Sequence, residues 1–132
     1  MLYRSSVVMV GCAYERLVVV LAQAVGDAKI EGSKKVLEAL EQEPPIGVAT
    51  LYKRVRDSLD KAALSSALAD QVSTRMDGVF EYARGHRNKQ GHPSGAPVSA
   101  QEADAAIQLF PSFYRLVLDV LAEIKQLPPL GT

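Results

Sequence analysis

The sequence predicts an all-α fold, a four- to five-helix up-and-down bundle forming a single domain over residues 1–132. Three observations carry this. No alternating apolar–polar run stands between hairpin turns, so strand signals are weak. Apolar residues recur instead at steps of three and four in several separate stretches. With 132 residues, 48% of them hydrophobic, the chain is long enough to bury one core and too short for two.

The first helix is expected from about Leu2 to Val25. Its apolar residues cover most of the circumference, as in a central buried helix, and Gly26 and Asp27 are its expected stop. It begins almost at Met1 with no cap, which suggests a piece of a longer protein truncated at the N-terminus. "GSKKVLEALEQE" reads as a short helix from near Ser33, stopped by Pro44 and Pro45, because proline lacks an N–H and clashes with the preceding turn. "VATLYKRVRDSLDKA" follows Gly47 as another helix.

A third core helix starts near Ser65. Leu68, Val72, Met76, Val79, Phe80 and Ala83 form one apolar stripe. Four residues beyond Ala83 is Arg87, so a continuing helix aims Arg87 from its buried side. A buried guanidinium needs partners, since it cannot shed its proton. After the loop "HPSGAPV", "SAQE" reads as a capping box with Ser99 as N-cap and Glu102 at N3. The last helix is expected from about Ala100 to Leu127, kinked or broken at Pro111, with "LPPLGT" as a short tail.

Fifteen basic and fifteen acidic residues cancel, so no global charge points to nucleic acid or an anionic membrane, and any RNA contact must be local. The apolar run "VVMVGCAYERLVVVLAQAV" is interrupted by Glu15 and Arg16, which argues against a membrane span or a signal peptide. A lone cysteine, Cys12, makes no intrachain disulfide and has no zinc spacing around it. A reducing cytoplasm and a role as buried filler are expected for it.

The chemistry-bearing string is "RNKQGH", residues 87–92. Metal-free RNA cleavage uses the substrate's own 2′-hydroxyl as nucleophile. It needs a proton acceptor, a proton donor and a cation beside the phosphorane. Histidine exchanges protons near neutral pH. Arginine offers a permanent charge and a donor fork matched to phosphate oxygens. Asn88 and His92 are four apart and can meet on one helical turn. Arg87 and His92 are five apart and converge only if the helix ends near Gly91. A bland reading stands beside this one. Gly91 and Pro93 make an ordinary helix stop, and Arg84, His86, Arg87 and Lys89 suit the negative end of a helix dipole.

The string and its setting resemble the HEPN superfamily, small all-helical domains that carry R-x(4–6)-H, often as R-N-x-x-x-H, at the end of their third core helix. Here "RNKQGH" follows "LADQVSTRMDGVFEYA" and precedes a capped final helix. "YRSSVVMVGCAYERLVVVLAQA" is similar to the opening helix of HEPN-related bacterial proteins, with small and apolar residues leading to a glutamate followed by Arg-Leu. The resemblance covers most of the chain at the level of helix order and these two motifs.

The resemblance implies catalytic roles for Arg87 and His92, with Asn88 as the polar residue after the arginine and Glu15 as a first-helix acidic group near the same site. It implies a metal-independent endoribonuclease or an RNA-binding domain that uses no cofactor. It further implies a homodimer with the two motifs facing a shared cleft, a toxin–antitoxin or phage-defence setting, and a nucleotidyltransferase-type antitoxin as partner. One departure matters: the tyrosine often found two residues after the histidine in nucleotidylated toxins is Ser94 here. The alternative is an inactive helical dimerisation or interaction domain in which Arg87, Glu15 and His92 form a structural polar network.

Other residues divide similarly. Glu15 is a site residue, or it pairs with a core arginine such as Arg87. His86 binds phosphate or merely ends a helix, and His86 with His92 is too sparse a pair for a metal site. Lys53, Arg54 and Arg56 track an RNA backbone or face solvent. Tyr52 and Tyr82 stack on bases or pack into the core.

Overall fold

The computed structural model describes residues 2–83 and 100–130, with side chains from residue 9 onward except at 100, 102, 103 and 106. It is all-α, and no strand occurs among the described residues. The helices are α1 (Leu2–Ala28), α2 (Ser33–Glu41), α3 (Val48–Lys61), α4 (Ser66–Gln71) and α5 (Ala100–Ile124). A π-helical turn, Val72–Met76, continues α4, and α-helix resumes over residues 77–83.

α1 is the central element and packs against α2, α3 and α5. Tyr14, Val18, Leu21, Ala22 and Val25 form its buried face. This stretch is long and apolar enough by composition to cross a membrane, but here its apolar face is the heart of the core. Val36 and Ala39 come in from α2, Leu51, Val55 and Leu59 from α3, and Phe113, Val117, Val120 and Ile124 from α5. Tyr14 meets Phe110 edge-on at 5.1 Å and Phe113 at 4.9 Å, so aromatic packing joins α1 to α5.

Three local expectations need correction. α1 does not stop at Val25 but runs through Gly26 to Ala28. Gly26 serves close packing, since a Cβ there would lie 2.5 Å from Leu37 Cδ2 of α2. The reversal comes later, through the left-handed residues Lys29 (φ 54°) and Gly32 (φ 86°). Pro111 does not break α5, which the helix carries as an internal residue. Pro111 and Ile107 are both exposed, so the carbonyl that loses its N–H donor lies on the solvent side of the helix. Cys12 is exposed, not buried filler, because it falls on the face of α1 opposite Tyr14 and Val18.

The tail is also anchored: the Leu130 N–H donates to the Lys29 carbonyl at 2.8 Å. Two buried serines fasten the α1–α2 connection. Ser33 Oγ donates to the Val25 carbonyl at 2.6 Å, and Ser58 Oγ to the Glu31 carbonyl at 2.5 Å.

The helix begins beside Ser65 as expected, and Ser65 caps it, its Oγ accepting from the Leu68 N–H at 3.4 Å. The π turn has a local cause. Ser73 Oγ and Thr74 Oγ1 both donate to the Asp70 carbonyl, at 3.1 and 2.7 Å, a back-bonding that disturbs the α-helical ladder. The Asp77 N–H then donates to the Val72 carbonyl, five residues back.

Gly32 sits where a side chain is unwelcome on two counts: its φ is positive, and a Cβ would lie 3.0 Å from Ser58 Cβ and 3.2 Å from Ser58 Cα. Gly32→Ala is expected to lower stability by about 1–3 kcal/mol, read as a fall in the urea midpoint at unchanged slope.

Candidate functional site

The helix that leads to "RNKQGH" is a core element, as its stripe demands. Leu68, Val72, Met76, Phe80 and Ala83 are all buried, and Val79 is half-buried at the edge. Arg87, Asn88 and His92 lie outside the described residues, as do His86, Gly91, Ser94 and the Ser99 cap; of Glu102 only the backbone is described. Glu15 is half-buried in α1. Its neighbour Tyr14 feels the charge of Tyr82, so the last described turn before the motif runs close to the Tyr14–Glu15 turn of α1. Burial first, and then Tyr82, pushes the Tyr14 phenol up to about 12.

A polar cluster holds this helix against α3. Tyr52 and Arg56 are four apart on α3 and present one face. The Tyr52 hydroxyl and Arg56 Nε both donate to Asp77 Oδ1, the arginine at 2.7 Å, and Arg56 Nη1 donates to Asp60 Oδ1 at 2.9 Å. The Tyr52 ring stacks on Phe80 with centroids 4.2 Å apart and planes 11° from parallel. Tyr52 is therefore a packing residue with a polar tip. Burial and then its hydrogen bond to Asp77 push its phenol far above the ordinary tyrosine range. Burial opposes the Arg56 charge, but its bonds to Asp77 and Asp60 outweigh that and raise its pKa.

This cluster revises the basic patch. Arg56 keeps only 13% of its side chain in water and is committed to two carboxylates. Arg54 is half-buried and donates to the Lys35 carbonyl at 3.4 Å, which leaves Lys53 as the exposed member. A cleft of about 190 Å³ between α2 and α3 gathers Lys35, Arg54 and Lys61 with Asp57 and Asp60, too mixed in sign for an anion site. Asp77 was not singled out in the sequence. Its signal is the Tyr52–Arg56 spacing, which needs an acceptor that only the tertiary fold supplies. Among the described residues, no group of three or more His, Cys, Asp or Glu gathers in a way that could hold a metal ion.

No protein-family model, curated protein or solved structure matches this chain.

Two outcomes test the cluster. Asp77→Ala removes an acceptor shared by a phenol and a guanidinium, and its own side chain is 39% exposed, so solvent softens the loss. A destabilisation of about 1–2 kcal/mol is expected by chemical denaturation. The second concerns alkaline pH. Tyr14 and Tyr52 hold their protons more tightly folded than unfolded, where the ordinary value is 10.0. Their contribution is complete below that value and is lost as pH rises through the folded pKa. The denaturation midpoint should fall between pH 10 and 12, with a shallower fall in Tyr52→Phe.

Proposed function

We propose that the chain is a HEPN-like RNA-cleaving or RNA-binding domain, a candidate metal-independent endoribonuclease. The observation that carries this is that the string Arg87-Asn88-x-x-x-His92 follows in sequence a helix whose stripe from Leu68 to Ala83 faces the core, buried at every member but the half-buried Val79. A helix that is core-facing up to Ala83 supports the expectation that Arg87, four residues on, belongs to its inner side. A charge there calls for a partner or a ligand, whereas a mere helix stop does not.

In this reading the substrate's 2′-hydroxyl attacks the adjacent phosphorus and the P–O5′ bond breaks. His92 exchanges the proton, Arg87 stabilises the phosphorane, and Asn88 and Glu15 orient them. Two copies of the motif across a dimer cleft would supply both a proton acceptor and a proton donor. The same reading makes the protein cytoplasmic, with a toxin–antitoxin or phage-defence role and a nucleotidyltransferase-type antitoxin as its partner class. Ser94, where a modifiable tyrosine often stands, argues against control by nucleotidylation at that position.

A second reading rests on the half-buried Glu15: an inactive interaction domain in which Glu15, Arg87 and His92 form a structural polar network. One set of variants separates the two. RNA incubated in EDTA should be cut by the wild type and left intact by Arg87→Ala and His92→Ala, with the melting temperature little changed. Wild type that leaves all RNAs intact, or variants that cut equally well, would sink the enzyme reading. The structural network would instead show as a loss of about 3–5 kcal/mol in Arg87→Ala.

A further inference from the structure

α5 carries more apolar surface than its own core uses. Its inner side is Phe113, Leu116, Val117, Val120 and Ile124, all buried. A second row, Ile107, Pro111, Tyr114 and Leu118, follows at steps of four, three and four, and all of it is exposed. The steps align the row along the helix over about 16 Å. Single exposed apolar residues are ordinary, but a contiguous row on one face marks an interaction surface.

Pro111, Tyr114 and Leu118 of this row line an open groove of about 750 Å³ between α5 and the π turn. Arg75, on the π turn, forms its other wall, and its Nη2 donates to Ser112 Oγ of α5 at 3.2 Å. Arg115 follows Ser112 by three residues, so both guanidinium groups belong to the same end of the groove. Asp119 stands one turn further on, at the other end, where α5 continues to Glu123. Among the described residues, Arg75, Arg115 and Asp119 are exposed and none is in an ion pair. Two positive charges against one negative make the groove net basic in a chain whose net charge is zero.

This distribution selects the occupant. A second copy brings the same excess of positive charge and is repelled. A single nucleic-acid strand needs cations spread along its path, and here a carboxylate holds one end. A membrane is a plane, whereas the wall formed by Arg75 makes this face concave. An amphipathic helix of another protein meets every feature. Apolar residues at i, i+4 and i+7 lie along the α5 row, and an acidic residue beside them reaches Arg75 and Arg115 in charge-assisted hydrogen bonds.

We infer that the groove between α5 and the π turn is a docking site for an acidic, amphipathic helical segment of a partner protein. The inference rests neither on RNA cleavage nor on any partner of that activity, and either conclusion stands if the other fails.

The test uses the full chain and a fluorescent synthetic peptide of about 12 residues, long enough to follow the row. It has leucines at i, i+4 and i+7, glutamates beside them and alanines elsewhere; a second peptide carries lysines in place of the glutamates. The acidic peptide should bind with a Kd below about 100 μM, and the lysine peptide at least about tenfold more weakly. Arg75→Glu and Arg115→Glu should each weaken binding of the acidic peptide at least about tenfold, and Leu118→Glu should do the same by charging the groove floor. Asp119→Asn should tighten it, a change of opposite sign that general damage to the fold would not produce. Helical circular dichroism should be unchanged throughout. If Leu118→Glu loses its helicity, the arginine variants, both at exposed positions, decide the matter. Acidic and lysine peptides that bind equally, or no binding of the acidic peptide up to about 1 mM, overturn the inference. So does an Arg115→Glu protein that binds like wild type, or displacement of the peptide by self-association, by an RNA oligonucleotide or by anionic phospholipid vesicles.

Discussion

The fold depends on covering α1. Its apolar residues lie around so much of the helix that no single neighbour can shield them. α2 and α3 approach from one direction and α5 from another, and each contributes a buried face to the same cluster around Val18, Leu21 and Val25. At roughly 1.5–3 kcal/mol for each large apolar side chain fully buried, this cluster outweighs any single hydrogen bond in the domain. The close pass of α2 over Gly26 and the left-handed turn through Lys29 and Gly32 follow from it, because α2 must double back at once to lie on α1.

The helix that approaches the motif obeys a second constraint, one of phase. Leu68, Val72, Met76 and Phe80 are spaced by four, and an α-helix rotates each successive member about 40° off the last. All four are nevertheless buried. The π turn at Val72–Met76 has a longer repeat and takes up part of that drift. Asp77 ends the turn and fixes the phase from outside, through Tyr52 and Arg56 on α3. The orientation of this helix over its described residues 77–83 is thus held at its start by the Asp77 carboxylate.

How far the sequence could be read varied with the kind of force involved. The third-helix stripe from Leu68 to Ala83 was legible because burial leaves a periodic mark on the chain. The helix start near Ser65 was legible because helix starts are set by local residues. A break at Pro111 was the wrong expectation because the effect of a proline depends on which side of α5 faces water. Cys12 misled because an apolar run does not say which of its residues turn inward. Of the site, the string from Arg87 to His92 and the acidic position at Glu15 are visible as residue types at fixed spacings. The proximity of Tyr82 to the Tyr14–Glu15 turn and the grip of Asp77 are not, since both join residues remote in sequence.

The sequence by itself determined the helical class, the order of the helices, the inward stripe before the motif, and the residue types and spacing within the motif. These rest on periodicity, capping and side-chain chemistry, which act within a turn or two of the chain. Only the tertiary structure decided that Arg56 is bound to Asp77 and Asp60 and not free for a ligand, that Gly26 is a packing site and not a stop, and that α5 keeps an outward apolar row. Those outcomes depend on which faces meet, and a one-dimensional pattern does not encode the azimuth at which one helix lands on another.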